Sequence, residues 1–156
     1  MNKKPIKEAV RALSLYLKKN YISSCLQMNP STLNNKLSGN ITKSTDNYIV
    51  VSRFTDEDVH RFNSWMPLLA DDLRRMAIVW SNDRQAVVDQ VKRFRKIANM
   101  YYIGEQFLGL NEMQINKRCL NTSTKCRNTS FSQQDIDKLN AFIHELSDVV
   151  EQTEAQ

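Results

Sequence analysis

The chain has 156 residues, 41% hydrophobic and 25% charged, and carries a net charge of +5 with a pI near 9.2. That length bounds it to one domain or two small ones, and the balance of residues is that of a globular chain rather than a disordered one. No apolar run approaches the roughly 18 residues of a membrane span, and no apolar signal region follows Lys3 and Lys4, so a cytoplasmic place without a membrane partner is expected.

Three glycines and three prolines leave few breaks, which suits a mainly α chain. The first apolar stripe, Ile6, Val10, Leu13, Tyr16 and Leu17, predicts an amphipathic helix over residues 6–19. A short helix follows over about 21–27. Asn29-Pro30 then reads as a helix start, with asparagine as N-cap and proline at the first helical position, and Gly39 closes a helix over 30–38. Tyr48, Ile49, Val50 and Val51 suit one strand of a small wing or hairpin, the alternative being a surface loop that covers the core. At Thr55-Asp56-Glu57-Asp58 a capping signal opens a longer helix with Val59, Phe62, Met66, Leu69 and Leu73 on one face. Trp80 reads as the packing contact between this half and the next, and Asp83 as the cap of the following helix.

Much of this order then recurs. Phe54 to Asn63 is matched by Phe131 to Asn140 at an offset of 77 residues, and Leu26 to Leu37 by Leu108 to Cys119 at an offset of 82. At an offset of 81, the stripe beginning at Ile6 and Val10 falls on Val87 and Val91. Helical period alone does not produce the paired Asn29/Asn111, Asn34/Asn116 and Asn63/Asn140. A duplicated module is therefore expected, with domains at 1–80 and 81–156. In the second copy the short helix lies at about 103–109, the cap is Asn111, and the next helix spans 112–120.

Two short helices joined by a tight turn, the second capped and polar outside, describe a helix-turn-helix. The segment from Leu26 through Asn29-Pro30 to Ser38-Gly39 resembles the turn and recognition helix of the phage-repressor (Cro/cI, lambda repressor-like) families. It is also similar to short phage and mobile-element helix-turn-helix proteins of Bacteroidota. The resemblance implies sequence-specific binding of double-stranded DNA by a small transcriptional regulator, with recognition helices at 30–38 and 112–120. The second copy departs from the pattern, with Asn121 in place of Gly39 and a negative charge at Glu112.

The residues themselves point the same way. Burying Leu33 and Leu37 leaves Ser31, Thr32, Asn34, Asn35 and Lys36 outward, short hydrogen-bonding groups and a cation suited to base edges and phosphates. In the second copy Gln114, Lys117 and Arg118 are the corresponding candidates, beside Glu112, Met113 and Asn116. Lys43 and Arg53, and likewise Lys125 and Arg127, suit phosphate contacts from the segment after each of these helices. Residues 1–75 carry 12 Lys/Arg against 7 Asp/Glu, whereas residues 76–156 carry 10 of each, so an anionic partner is expected mainly at the first module. Lys92-Arg93-Phe94-Arg95-Lys96 is divided by helical spacing into an inward Phe94 and a solvated basic face.

No enzyme, metal or cofactor is expected. Phosphate loops and paired-histidine motifs are missing from the sequence, and His60 and His144 stand apart. Cys25, Cys119 and Cys126 form no CxxC pair, and Cys119 occupies the place of the apolar Leu37. The competing reading is a protein-interaction module on a helix-turn-helix scaffold, favoured by Glu112, the neutral second half and the acidic end of the chain. In that reading the second module takes a protein partner. Either a monomer or a homodimer fits.

Overall fold

The chain was described from a computed structural model, which covers residues 3–39, 41–43, 49–120 and 129–156, with backbone alone for 41–43 and 49–51. Among the described residues it is mainly helical. They fall into two compact units, residues 1–68 with 152–156, and residues 69–151.

In unit 1, α1 (Ile6–Ser14) buries Ile6, Ala9, Val10 and Leu13, the three- and four-residue spacing of one helix face. It ends five residues before its expected limit at 19. The amides of Tyr16 and Leu17 both turn back to the Leu13 carbonyl, and Leu17 stays fully buried. This tightened turn keeps the apolar spacing, so no glycine or proline announces the break. The next helix, α2 (Lys19–Cys25), starts two residues earlier than expected.

The turn from α2 to α3 (Pro30–Ser38) is held by the Met28 amide on the Ser23 carbonyl and by Gln27 in the left-handed region at φ 58°. Asn29 Oδ1 accepts from the Thr32 amide at 2.7 Å, and Gly39 closes the helix at φ 66°. Leu26, Leu33 and Leu37 are buried, and Met28 is half-buried. After α3, β2 (Ile41–Lys43) pairs antiparallel with β3 (Ile49–Val51), so the hairpin reading holds for the backbone of this segment. Tyr48 lies outside the described residues.

The long helix α4 (Asp56–Arg75) opens on a reciprocal cap: the Asp58 amide donates to Thr55 Oγ1 at 3.2 Å, and the Thr55 amide to Asp58 Oδ2 at 2.9 Å. Phe62, Trp65 and Met66 are buried, with the Tyr21 and Phe62 rings edge-on to Trp65. Unit 1 is completed by a short parallel pairing of β1 (Lys3–Lys4) with β4 (Glu154–Ala155). Asn63 holds Ala155 at both ends of its backbone, donating from Nδ2 to the carbonyl at 3.0 Å and accepting the amide on Oδ1 at 2.8 Å.

Unit 2 contains the C-terminal part of α4, α5 (Arg84–Arg95), α6 (Met100–Ile103), a π-helical turn (Gly104–Leu108), α7 (Glu112–Cys119) and α8 (Gln133–Glu151). Asp83 caps α5 through the Gln85 amide, as expected. Trp80 is half-buried and lines a small hollow of this unit with Val87, Val88 and Phe131. The π turn, which adds one residue to a helical turn, lies where the matched stretches shift from an offset of 81 to one of 82. Where Met28 N–H bonds to Ser23 C=O in unit 1, Leu110 N–H bonds to Gly104 C=O in unit 2, one residue further along. Gly109 then takes the left-handed place of Gln27, at φ 65°. On α8, a cap like that of α4 forms between Ser132 and Asp135, and Asn140 clasps Ile78 by its amide (2.7 Å) and carbonyl (2.7 Å).

Candidate nucleic-acid interface

The best-formed candidate surface is the outer face of α3. Leu33 and Leu37 anchor it inward, and Arg11 Nη2 donates to the Leu37 carbonyl at 2.8 Å, satisfying an end-of-helix acceptor. On the other face Ser31 and Asn34 are exposed, and Thr32 and Asn35 are half-buried. Ser31 and Asn34 face outward as the spacing predicts, and Thr32 and Asn35 only in part.

Lys36 does not. The spacing leaves it outward, but the structure turns its ammonium onto Asp58 Oδ2 at 2.6 Å, with side-chain exposures of 16% and 3%. A lysine stem is long enough to fold back over its own helix edge, which helical spacing alone does not reveal. Burial pushes the Asp58 carboxyl up. The Lys36 hydrogen bond and charge, with the Thr55 amide and hydroxyl, outweigh this and hold it below its ordinary 3.8.

Arg53 is exposed, and it lines a hollow of about 300 Å³ with Lys7, Lys36, Gly39 and Gln156, beside the C-terminal end of α3. Lys43 lies on β2, in register with Ile49, and its side chain is outside the described part. Lys18 and Lys19, at the start of α2, are exposed cations that the sequence reading did not assign.

On α7 the candidates are spent differently. Gln114 is committed to a capping box: its Oε1 accepts from the Asn111 amide, and its own amide donates to Asn111 Oδ1, both at 2.9 Å. Arg118 turns toward α8, with Nε 4.0 Å from Asp135 Oδ2 and Nη1 on the Gln114 carbonyl at 3.2 Å. Both were expected to face a ligand. Asn116, the match of the exposed Asn34, accepts from Arg95 Nη2 at 2.8 Å and from the Tyr101 hydroxyl at 3.1 Å. Arg95 also lies over the Tyr101 ring at 5.1 Å from its centroid. Lys117 is exposed as expected.

What α7 presents instead is partly apolar. Met113 is 61% and Leu120 46% exposed, and with Glu112, Asn116 and Lys117 they line a shallow hollow of about 360 Å³. Leu120, expected inside the helix, is its C-cap, and Arg84 donates to the Leu120 and Arg118 carbonyls to close that end. Lys125, Arg127 and Cys126 lie outside the described residues. Cys119 is buried at the Leu37-like position, and burial raises its thiol pKa despite the nearby Arg95, Lys92 and Arg84. No group of metal-ligating side chains occurs among the described residues, and no helix among them is long and apolar enough to cross a membrane. No protein-family model matches the chain, and neither a curated protein nor a solved structure is significantly similar to it.

Proposed function

We propose that the chain is a sequence-specific DNA-binding protein, a small non-enzymatic transcriptional regulator of phage or mobile-element origin acting in the cytoplasm, which reads the major groove with α3. One observation carries this reading: α3 is capped by Asn29, closed by Gly39 and seated on Leu33 and Leu37, and it turns Ser31, Thr32, Asn34 and Asn35 away from the core. Asparagine can pair bidentately with adenine, and hydroxyls serve bases or phosphates. Exposed Lys18, Lys19 and Arg53 supply phosphate contacts on elements adjoining α3 in the chain. The recurrence of the left-handed residue, the asparagine cap, the helix-opening box and the backbone clasp supports a duplicated module.

A second reading applies to unit 2 alone. The exposed Met113 and Leu120, with Asn116 tied to Arg95 and Tyr101, favour a protein partner for α7 over a second DNA site.

The test is fluorescence anisotropy with random-sequence duplex DNA across about 50 to 300 mM salt, where phosphate-driven binding weakens steeply. Arg53→Gln and Lys19→Gln are expected to weaken binding and each lower the salt slope by about one. Lys117→Gln is expected to leave both nearly unchanged. Absence of binding at low salt rejects the DNA reading, and an equal loss in Lys117→Gln returns α7 to the DNA side.

A further inference from the structure

The ion pair that withdraws Lys36 from solvent has a counterpart in unit 2. Lys36 and Arg118 are separated by 82 residues, and Asp58 and Asp135 by 77, the same two offsets that relate the matched stretches. In both places a cation from the last turn of the polar helix approaches the carboxylate that closes the first-turn box of the following long helix, but Lys36 makes a hydrogen bond of 2.6 Å whereas Arg118 Nε stays 4.0 Å away without one. One carboxylate therefore does two things. Asp58 Oδ2 accepts the Thr55 amide, which fixes the start of α4, and it accepts Lys36, which fixes α3 to that start.

A partly buried pair of this kind adds little net stability, because desolvation offsets most of the Coulomb attraction. It adds direction. Leu33 and Leu37 hold α3 through apolar contact, which is non-directional and tolerates rotation of the helix about its own axis. A charged hydrogen bond of 2.6 Å on one edge of the helix removes that freedom, and Arg11 on the Leu37 carbonyl restrains the C-terminal end.

We propose that Lys36 is a positioning residue rather than a DNA contact. Its pair with Asp58 sets the rotation of α3 and so aims Ser31, Asn34 and their neighbours. The part of this that concerns DNA rests on the reading proposed above, and the part that concerns helix orientation does not.

The experiment uses the full chain with Lys36→Met, Lys36→Arg and Asp58→Asn. Asparagine at 58 keeps an acceptor for the Thr55 amide, so the cap survives, and reduces the Lys36 contact from a charged pair to a hydrogen bond on a neutral oxygen. Amide hydrogen exchange should show faster exchange confined to α3 in Lys36→Met and Asp58→Asn, with α1 protected as in the wild type and with Lys36→Arg restoring α3. Unchanged α3 protection in Asp58→Asn overturns the proposal, with or without DNA binding. On DNA selected from random duplexes, Lys36→Met and Asp58→Asn should each lose tenfold or more in affinity. The slope of log K against log salt should stay at the wild-type value. A slope lower by about one in Lys36→Met, or tighter binding by Asp58→Asn, identifies Lys36 as a phosphate contact and also overturns the proposal. If wild type binds no DNA, the DNA reading fails and the exchange data alone decide the orienting role. If Lys36→Met does not fold, Asp58→Asn carries the same decision.

Discussion

Gln27 holds a backbone angle that side chains other than glycine rarely adopt, at the point where α2 gives way to α3. The matched place in unit 2 is Gly109, at nearly the same φ and with open space around it. The left-handed conformation costs a residue with a Cβ about 1–2 kcal/mol relative to glycine. Gln27→Gly is therefore expected to raise stability by about 1 kcal/mol, read as a higher urea midpoint with an unchanged m-value. Gly104 behaves in the opposite sense. Glycine-to-alanine inside a helix ordinarily stabilises by up to about 1 kcal/mol, but a Cβ here would stand 2.9 Å from Ile115 Cδ1 and 3.3 Å from the Leu110 carbonyl oxygen. That oxygen accepts no displacement without breaking the turn, because the Leu110 amide already bonds the Gly104 carbonyl. Gly104→Ala should destabilise by about 1–3 kcal/mol in the same urea titration. A tight turn between the two short helices was legible from the Asn29-Pro30 helix start, although not the left-handed residue that makes it. Which glycine is irreplaceable was not legible either, because it depends on where Ile115 packs.

Between elements, the α3–α4 ion pair makes a prediction about acid. The Asp58 carboxyl in the folded chain lies below its ordinary value, so its contribution to stability is complete above the unfolded value and lost as pH falls through the folded one. The window is thus below about pH 4. Measured from pH 7 to pH 2, the wild type should lose stability below pH 4 more steeply than Asp58→Asn, which has no carboxyl to protonate at that site. Equal slopes would mean that the pair does not discriminate between the protonation states of Asp58. The elements themselves were readable to different degrees. Bounds for α3 follow directly from Asn29-Pro30 and Gly39, residues whose backbone preferences specify a start and a stop. Those of α1 and α2 do not, because the turn at residues 15–18 is made by ordinary side chains that continue the apolar spacing. Lys36, Gln114 and Arg118 were expected outward and are turned onto partners within the chain for a related reason: helical spacing locates a Cα on a face but not the end of a long side chain.

At the scale of the whole molecule, the two asparagine clasps are reciprocal. Asn63 on α4 holds Ala155, which follows α8, and Asn140 on α8 holds Ile78, which follows α4. Asn63 and Asn140 are 77 residues apart, and so are Ile78 and Ala155. Each clasp satisfies one donor and one acceptor of a buried residue, since Ile78 is 4% and Ala155 3% exposed. Truncating the asparagine strands both groups, at about 1–3 kcal/mol for each left without a partner. Asn63→Ala should release the Ala155 amide to fast hydrogen exchange while Ile78 stays protected, and Asn140→Ala should do the reverse. Simultaneous loss at both residues in either variant would show that the clasps are not independent.

The sequence by itself determined the helical class, the recurrence of short and long helices, the asparagine caps and most of the buried face of each helix. These depend on period and on local backbone chemistry, which neighbouring residues specify. Only the tertiary structure decided which cations remain free, because that depends on carboxylates 17 to 22 residues away, Asp135 for Arg118 and Asp58 for Lys36. It also decided that the pair Asn63 and Asn140 each clasp a backbone segment. A side-chain amide offers one donor and one acceptor wherever it stands, and the partner it meets is set by chain segments 62 and 92 residues distant.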